Sequence, residues 1–225
     1  MKKYHFLFLF FACVNLLFSQ GPTFSGIRFS TVWGTEKFEL YKKYILKEDT
    51  ISVSMLKFYI SDIVLKKKNT IIYKTEGKSY LMNPEKKLEI DFDQNIAEEA
   101  DEIDFSVGVD STTNVSGALG GDLDPMNGMY WSWQSGYVNF KIEGTYRGSA
   151  AQKDFQFHIG GYSSLFPTLQ TIALPLGKNQ KIIYVDVLRF LLQIDLNKIH
   201  SIMSPGEKAV ILARQFGKVF YTDRK

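Results

Sequence analysis

The chain has 225 residues, of which 45% are hydrophobic, 15% aromatic and 23% charged. This composition is typical of a globular protein and excludes a disordered, collagen-like or coiled-coil chain. The 27 basic and 24 acidic residues nearly balance, and two of the lysines fall in the N-terminal leader, so the charge indicates no nucleic-acid partner.

The first twenty residues, 1–20, have the pattern of a cleaved secretory signal peptide. Two lysines precede an apolar stretch from Phe6 to Phe18, and Ser19-Gln20-Gly21 offers small or polar residues for cleavage. The apolar stretch is shorter than the roughly 20 residues that a membrane-spanning helix needs. A lipidated Cys13 is the alternative, but Phe10-Phe11-Ala12 lacks the usual aliphatic residue ahead of the cysteine. We therefore expect a secreted or periplasmic protein.

The mature chain, 21–225, is expected to form a single domain that is mainly β, an antiparallel β-sandwich with a short C-terminal helix. Without its leader the chain has no cysteine, no repeat and no Pro- or Gly/Ser-rich linker, and roughly 205 residues suit one all-β domain. Short runs rich in β-branched and aromatic residues predict strands. In chain order these are Phe24–Ser30, Lys37–Leu40, Val53–Leu65, Thr70–Tyr73, Leu88–Phe92, Ile103–Val109, Tyr137–Tyr146, Phe155–Ile159, Leu169–Leu174 and Lys181–Val187.

Two helices are predicted after most of these strands. The segment Asp186–Leu196 carries apolar residues at spacings of three and four, which is typical of a helix. Ser204 and Pro205 resemble an N-cap and a first helical residue, and they predict a C-terminal helix that ends near Gly217. Its buried stripe is expected to consist of Val210, Ile211 and Phe216. Packing accounts for both helices, so neither is assigned any chemistry.

One histidine is predicted to lie on the polar face of a strand. In Phe155-Gln156-Phe157-His158-Ile159 the apolar residues fall two apart, and Phe140-Lys141-Ile142-Glu143 has the same alternation. One face of such a strand packs on a core, and the other faces solvent or a groove. His158 is therefore expected on the face opposite the core, where it is available for binding.

The segment around residues 120–144 differs from the ordinary strand pattern. A turn-rich loop with Pro125 and Asn127-Gly128 leads into Met129, Trp131 and Trp133, and a strand follows. Residues two apart on an extended chain share a face, so the two tryptophans are expected to project together, with the methionine in line. The result is a soft, polarisable and electron-rich surface.

Three interpretations of this surface remain open from the residues alone. An aromatic cluster between a loop and a strand can simply cap the end of a sandwich, which gives a structural module. A flat pair of indole rings can stack against sugar rings, which gives a carbohydrate-binding module. The thioether of Met129, the indoles of Trp131 and Trp133 and the imidazole of His158 could instead surround a soft metal such as Cu(I).

Other chemistries lack their motifs. Counted from Asp122, the acidic loop has no oxygen ligand at position five, no glycine at six and no glutamate at twelve, so it does not fit an EF-hand, and Asx turns are expected instead. The chain has no Gly-x-Ser-x-Gly elbow and no phosphate or dinucleotide fingerprint. His158 and His200 are the only histidines of the mature chain. We therefore do not expect an enzyme.

Four segments together resemble one known family. The longest runs from Asp124 to Tyr137, reads Asp-Pro-Met-Asn-Gly-Met-Tyr-Trp-Ser-Trp-Gln-Ser-Gly-Tyr and continues to Gly144. The others are Leu56–Ile63, Ile103–Val109 and Phe155–Gly160. They follow one another over nearly the whole mature chain, and they resemble the MbnP-like periplasmic copper-binding domain.

This resemblance implies a secreted β-sandwich that binds copper. In copper-binding members a tryptophan is oxidised to kynurenine by a partner dihaem enzyme of the cytochrome c peroxidase class, and the modified side chain joins two histidines in holding Cu(I). Trp131 and Trp133 occupy the tryptophan positions of the signature, and His158 matches the histidine of the later strand. A two-histidine site would have to include His200. An outer-membrane receptor is a further partner consistent with this location.

Overall fold

The computed structural model describes residues 26–92, 96–133, 136–147, 151–177 and 181–222. The predicted signal peptide, 1–20, and the first residues of the first predicted strand lie outside the described residues. Within these ranges, none of the helices combines the length and apolar character that crossing a membrane requires.

The described ranges form fifteen strands and four α-helices. The strands are β1 Gly26–Trp33, β2 Glu36–Lys37, β3 Lys43–Leu46, β4 Asp49–Lys67, β5 Thr70–Lys74, β6 Ser79–Met82, β7 Glu89–Asp91, β8 Glu102–Val107, β9 Tyr130–Trp131, β10 Gly136–Arg147, β11 Gln152–Gly160, β12 Gln170–Pro175, β13 Ile182–Asp186, β14 Ser201–Ile202 and β15 Phe220–Tyr221. The helices are α1 Ile96–Glu99, α2 Ser111–Val115, α3 Val187–Leu191 and α4 Glu207–Gly217, and two 3-10 turns cover Gly121–Leu123 and Pro125–Asn127.

These strands build two sheets in a single, mainly β domain, as the sequence predicts. The larger sheet has ten strands in the order β12-β8-β4-β10-β11-β14, with β3, β5 and β6 also paired to β4 and β9 to β10. The smaller sheet has five strands in the order β15-β13-β1-β2, with β7 paired to β1. Most pairs are antiparallel, but β1 with β13 and β11 with β14 are parallel. The long strand β4 is thus the centre of the larger sheet.

The main core combines side chains of both sheets with α3 and α4. Aromatic rings dominate its middle, where Phe140 stacks on Phe216 with ring centroids 4.2 Å apart. Phe190 meets Phe140 edge to face, and Phe58 meets Phe216 in the same way. Full burial of one such ring contributes about 1.5–3 kcal/mol. The large aromatic content of the sequence is therefore used mainly to join the two sheets and the helices.

A second cluster of buried side chains lies on the opposite face of the larger sheet. On β4, Tyr59 points away from Phe58 and Ile60, which belong to the main core. The chain segment between β8 and β10 folds over this face and covers it. The resulting small cluster consists of Tyr59, Leu81, Val109, Leu123, Met129, Trp131, Tyr137 and Val138. The tryptophan-bearing segment is thus built on a core of its own.

A β-bulge at Asn139 allows β10 to serve both cores. Val138 pairs with Gly160, whereas Phe140 pairs with Ile159, so one residue of β10 has no partner across the ladder. An extra residue changes which face the following side chains take. Val138 accordingly belongs to the small cluster and Phe140 to the main core, although the two are only two positions apart.

The helices differ from their predictions in detail. Helix α4 ends at Gly217 as predicted, but its N-cap is Gly206 and not Ser204, so the predicted cap is wrong. The buried residues of α4 are Ala209, Leu212, Ala213 and Phe216, so the predicted stripe is right at Phe216 but wrong at Ile211, which is 51% exposed. The chain before the helix is held against β11, since a Cβ on Gly161 would lie 3.2 Å from Cβ of Pro205. The helix therefore begins only after this contact.

Two other elements are shorter than predicted. Helix α3 covers only Val187–Leu191 and begins at Asp186, whose carboxylate accepts a hydrogen bond from the Arg189 amide at 3.0 Å. The predicted strand Lys37–Leu40 is reduced to β2, because Phe38 turns inward to stack on Tyr44 of β3 with centroids 5.8 Å apart. Local pattern therefore predicted the existence of these elements better than their ends.

Candidate metal centre

The candidate site is centred on His158, which is paired with a carboxylate. It lies on β11, on the face opposite Phe157 and Ile159, as the alternation predicts. Its Nε2 is 2.6 Å from Oε1 of Glu143 on the neighbouring strand β10. The histidine is only 8% exposed. The pair therefore forms a short, mostly buried hydrogen bond.

The surroundings favour a neutral imidazole next to an ionised carboxylate. Burial lowers the pKa of His158, and the neighbouring Lys141 adds to this effect against the opposing hydrogen bond to Glu143. Burial would raise the pKa of Glu143, but its contacts with His158 and Lys141 outweigh this and lower it. An ionised carboxylate can only accept, so Nε2 carries the proton. The lone pair of a neutral ring is then on Nδ1, which is free to bind a metal.

Trp131 lies beside His158 on the same face of the sheet. Its strand, β9, pairs with the start of β10. The indole packs directly over Gly160, where a Cβ would lie 2.9 Å from Cζ3 of the tryptophan. Gly160 is two residues beyond His158, and alternate residues of a strand share a face. The structure therefore places Trp131 on the same face as His158, two positions along β11 from it.

The other two predicted site residues have very different surroundings. Trp133 is 65% exposed, and its ring centroid is 5.7 Å from that of Trp131 with the planes tilted by 42°. Because Trp131 is itself 7% exposed, the two rings do not form a flat stacking platform. Met129 is fully buried in the small cluster, and its carbonyl accepts a hydrogen bond from Val138 at 2.9 Å. The methionine therefore packs beneath the tryptophans.

His200 lies on the segment that borders β11 but does not reach His158. Its carbonyl accepts a hydrogen bond from the Gln156 amide at 2.8 Å, and its side chain is exposed. Since Ser201 pairs with Gln156, His200 is beside Phe155, three positions from His158. This separation is roughly 10 Å at about 3.3 Å per residue. Among the described residues, no group of three or more His, Cys, Asp or Glu side chains could hold a metal ion.

Two lysines hold the turn that precedes the tryptophans. Nζ of Lys57 on β4 donates to the carbonyl of Asn127 at 2.9 Å, and Nζ of Lys141 on β10 donates to that of Gly128 at 3.5 Å. Burial lowers the pKa of Lys57, and the charge of Lys141 adds to this. Gly128 has a φ of 73°, a conformation that favours glycine. The turn is therefore attached to the same sheet face that carries His158.

The acidic residues of this turn have structural roles. The carboxylate of Asp124 accepts from the Met126 amide at 2.8 Å, which is the expected Asx turn. Asp122 instead accepts from the amide of Leu81 on β6 at 3.0 Å. It is also near Lys87, with 3.7 Å between Nζ and the carboxylate. These contacts connect the turn to β6.

Asn114 on α2 holds the other side of the hairpin that β9, with Trp131, forms with the start of β10. Its Oδ1 accepts from the Tyr137 amide at 2.8 Å, and its Nδ2 donates to the carbonyl of Val109 at 2.9 Å. The phenol of Tyr137 accepts from the Leu119 amide at 2.9 Å. A pocket of about 130 Å³ opens beside this hairpin, lined by Trp131, Gly136, Tyr137, Gly161, Tyr162, Ser163 and Pro205.

Comparison with known families identifies the family of the chain. The MbnP family model matches residues 23–204. The chain belongs to the MbnP family. It is also similar in fold to the solved structure of MbnP from Methylosinus trichosporium, with 13% sequence identity, a TM-score of 0.55 and 81% of each chain covered. No match is found among curated proteins.

The segments that resemble the MbnP family meet in one part of the fold. Leu56–Ile63 lies in β4, Ile103–Val109 begins in β8 and Phe155–Gly160 lies in β11. The segment Asp124–Tyr137 supplies the turn, β9 and the start of β10, and its Gln134 and Ser135 lie outside the described residues. Since β8, β4, β10 and β11 are consecutive in the larger sheet, the resemblance marks one continuous surface.

Several residues of the site were not predicted from the sequence. Glu143 stands in the alternating strand Phe140–Glu143, and that alternation was the signal that it shares a polar face. In the pairing of β10 with β11, Lys141 is opposite His158. Glu143 is two residues further along β10 on the same face, and from there it reaches the imidazole. Lys57 and Asn114 had no comparable signal, because the bonds from Lys57 to Asn127 and from Tyr137 to Asn114 join residues 70 and 23 positions apart.

Proposed function

We propose that this MbnP-family protein binds copper as Cu(I) at the end of β11, with His158 as a ligand and Trp131 beside it. The observation that supports this most directly is the 2.6 Å hydrogen bond between Nε2 of His158 and Glu143. Metal-binding histidines commonly donate their second ring N–H to a carboxylate, which orients the ring and raises its basicity. Imidazole nitrogen is also a ligand that copper accepts readily.

We further propose that one of the two tryptophans is oxidised to kynurenine by a dihaem partner of the cytochrome c peroxidase class, with peroxide as the oxidant; the C2–C3 bond of the indole is cleaved and C2 leaves as formate. The family resemblance supports this chemistry. Trp131 packs over Gly160, two positions along β11 from His158, so its modified side chain is the one we propose to join the metal. Trp133 is 65% exposed and in ring contact with Trp131. Mass analysis of native material should therefore locate the tryptophan-to-kynurenine difference on one of these two residues.

Titration of the mature protein with Cu(I) against a chromophoric chelator tests the site. Stoichiometric uptake is expected for the wild type, with loss of uptake in His158→Ala and weaker uptake in Trp131→Phe and Trp133→Phe. His200→Ala is the matched control, because that histidine is exposed and about three strand positions away. Wild-type affinity in His158→Ala and both tryptophan variants would remove the proposed site.

A carbohydrate-binding module is the second candidate, and the exposed ring of Trp133 favours it. An exposed aromatic face is suited to stacking on a sugar ring. For this function, tryptophan fluorescence should change on addition of sugars and remain constant on addition of Cu(I). The opposite response supports the copper site.

The proposed function requires export of the protein. The leader-like segment supports a secreted or periplasmic location, and an outer-membrane receptor is a compatible partner. The proposal predicts that protein recovered from the periplasm or medium begins near Gly21. An intact N-terminus in the cytoplasmic fraction would contradict this location. The protein is proposed as a binding protein without catalytic activity of its own.

A further inference from the structure

We propose that Met203 supplies a thioether ligand to the copper site, next to His158. This inference rests on the copper function proposed above. It addresses the shortage of ligands at the site, since His200 lies about three strand positions from His158. Thioether sulfur is a soft donor of the kind that selects Cu(I). A methionine at this place can therefore act where a second histidine does not reach.

The register of the parallel pair β11 and β14, continued one residue past Ile202 where β14 ends, places Met203 beside His158. Gln156 pairs with Ser201, and Phe157 pairs with Ile202. The next step of the same register brings Met203 alongside His158. Ile202 is buried in the main core together with Phe157. Because successive side chains alternate between faces, Met203 projects to the face that carries His158.

A second contact shows that the chain stays beside β11 after Met203. A Cβ on Gly161 would lie 3.2 Å from Cβ of Pro205. Met203 is therefore bracketed by the pairing at Phe157 on one side and by the contact at Gly161 on the other. Its position next to His158 follows from both ends of the segment and does not depend on extending the strand register alone.

Three side chains of suitable chemistry thus approach one stretch of β11 from different directions. His158 projects from β11 itself, Trp131 lies over Gly160, and Met203 borders the open edge. Met203 is 45% exposed, so its sulfur can be reached by an incoming ion. Met129 is fully buried in the small cluster and lacks this access. The donor set of imidazole nitrogen and thioether sulfur fits a soft monovalent copper ion.

X-ray absorption of the Cu(I)-loaded protein, combined with chelator competition, tests this ligand. The wild type should show a copper–sulfur scatterer, and Met203→Leu should lose it and bind Cu(I) about tenfold or more weakly, the change expected from about 1.4 kcal/mol of lost affinity. Met126→Leu, at a methionine that is 94% exposed on the turn, is the matched control. Met129→Leu tests whether the buried sulfur of Met129 is the scatterer instead. Leucine conserves the side-chain volume, so all three variants should remain folded.

The outcomes separate this inference from the copper function itself. If the wild type binds Cu(I) through His158 but Met203→Leu keeps the sulfur scatterer and the affinity, the thioether assignment is wrong and the copper function stands. Loss of the scatterer in Met129→Leu alone would move the ligand to that residue and overturn the assignment to Met203. If the wild type takes up no Cu(I), both proposals fail together. A cooperative unfolding transition of each metal-free variant checks that the variant is folded.

Discussion

Glu143 and His158 show how a single pair determines the properties of the candidate site. The carboxylate holds Nε2 at 2.6 Å, while Lys141 approaches the same carboxylate at 3.3 Å. The lysine keeps the glutamate ionised, and the glutamate keeps the ring oriented. Because burial lowers the pKa of the histidine, the ring stays neutral at physiological pH and its Nδ1 lone pair is available.

Replacing Glu143 with glutamine should weaken Cu(I) binding while leaving the protein folded. Glutamine keeps the shape of the side chain but removes the charge that raises the basicity of the imidazole. Mutation of such a partner typically reduces metal affinity by about 10- to 100-fold. Chelator competition measures the change. Glu89→Gln is the control, since Glu89 forms a half-exposed salt bridge with Arg28 in the smaller sheet and should have no effect.

Asp110 is the N-cap of α2, the helix that carries Asn114. Its carboxylate accepts from the Thr113 amide at 2.9 Å. Burial would raise the pKa of Asp110, but hydrogen bonds from Thr113 and Thr112 outweigh this and lower it below its ordinary value of 3.8. A lowered pKa stabilises the fold above pH 4, and this contribution is lost as the pH falls through the lowered pKa.

Asp110→Ala should therefore reduce the free energy of unfolding by about 1 kcal/mol near neutral pH, which is typical for a lost N-cap. The difference from the wild type should shrink as the pH falls below about 4, where the wild-type carboxylate becomes protonated. Urea unfolding at neutral and acidic pH measures both. Asp110→Asn retains a capping side chain and should lose less. A difference that stays constant with pH would show that the charge of Asp110 does not contribute.

At the scale of the elements, the bulge at Asn139 and the close contact at Gly160 shape the site. Oδ1 of Asn139 accepts from the Val109 amide at 3.0 Å, and its Nδ2 donates to Thr168 at 2.8 Å. The bulged residue thus connects β10 to the segment after β8 and to the loop after β11. These bonds hold the start of β10 against Gly160, over which Trp131 packs.

Gly160→Ala should disturb the site through the backbone. The added Cβ would lie 2.4 Å from the carbonyl oxygen of Tyr137 and 2.9 Å from Trp131, and neither position is compatible with a normal contact. Overpacking of this kind typically costs about 1–3 kcal/mol. Cu(I) affinity should fall together with stability, because the indole must move. Gly120→Ala is the control, since a Cβ there meets nothing within 4 Å. Urea unfolding and chelator competition measure the two effects.

At the scale of the whole molecule, the two ends of the described chain meet in one sheet. β1 pairs with β13, and β13 pairs with β15. The family model ends at residue 204, but the chain beyond it enters the main core. Phe216 of α4 contacts Phe140, Phe190 and Phe220. The C-terminal segment is therefore a structural part of this domain.

Phe216→Ala should reduce the free energy of unfolding by about 3–5 kcal/mol, the usual cost of removing a buried phenylalanine. The loss arises from the stack on Phe140 and from the cavity that remains between the sheets. Ile211→Ala on the same helix is the matched control, because that side chain is 51% exposed. Chemical denaturation measures both. An equal, small effect of the two changes would show that α4 is not part of the cooperative core.

The sequence alone was sufficient for the class of fold, most strand positions and the identity of the domain. Alternation in Phe155–Ile159 also predicted the face of His158, because side-chain direction along a strand follows from local geometry. The predicted buried stripe of α4 was right at Phe216 but wrong at Ile211, because packing against the sheets decides which side of the helix is buried. The unequal exposure of Trp131 and Trp133 was not predicted. It depends on the tertiary contact with Gly160.

What the sequence by itself determined is therefore a mainly β domain of the MbnP family, with two tryptophans and His158 as its distinctive chemistry. Only the tertiary structure decided that Glu143 bonds to His158, that Trp131 packs over Gly160 two positions along β11, and that β14 runs beside β11. The physical reason is register. These neighbours come from different strands, and a shift by one residue, as at the bulge of Asn139, changes which side chains share a face.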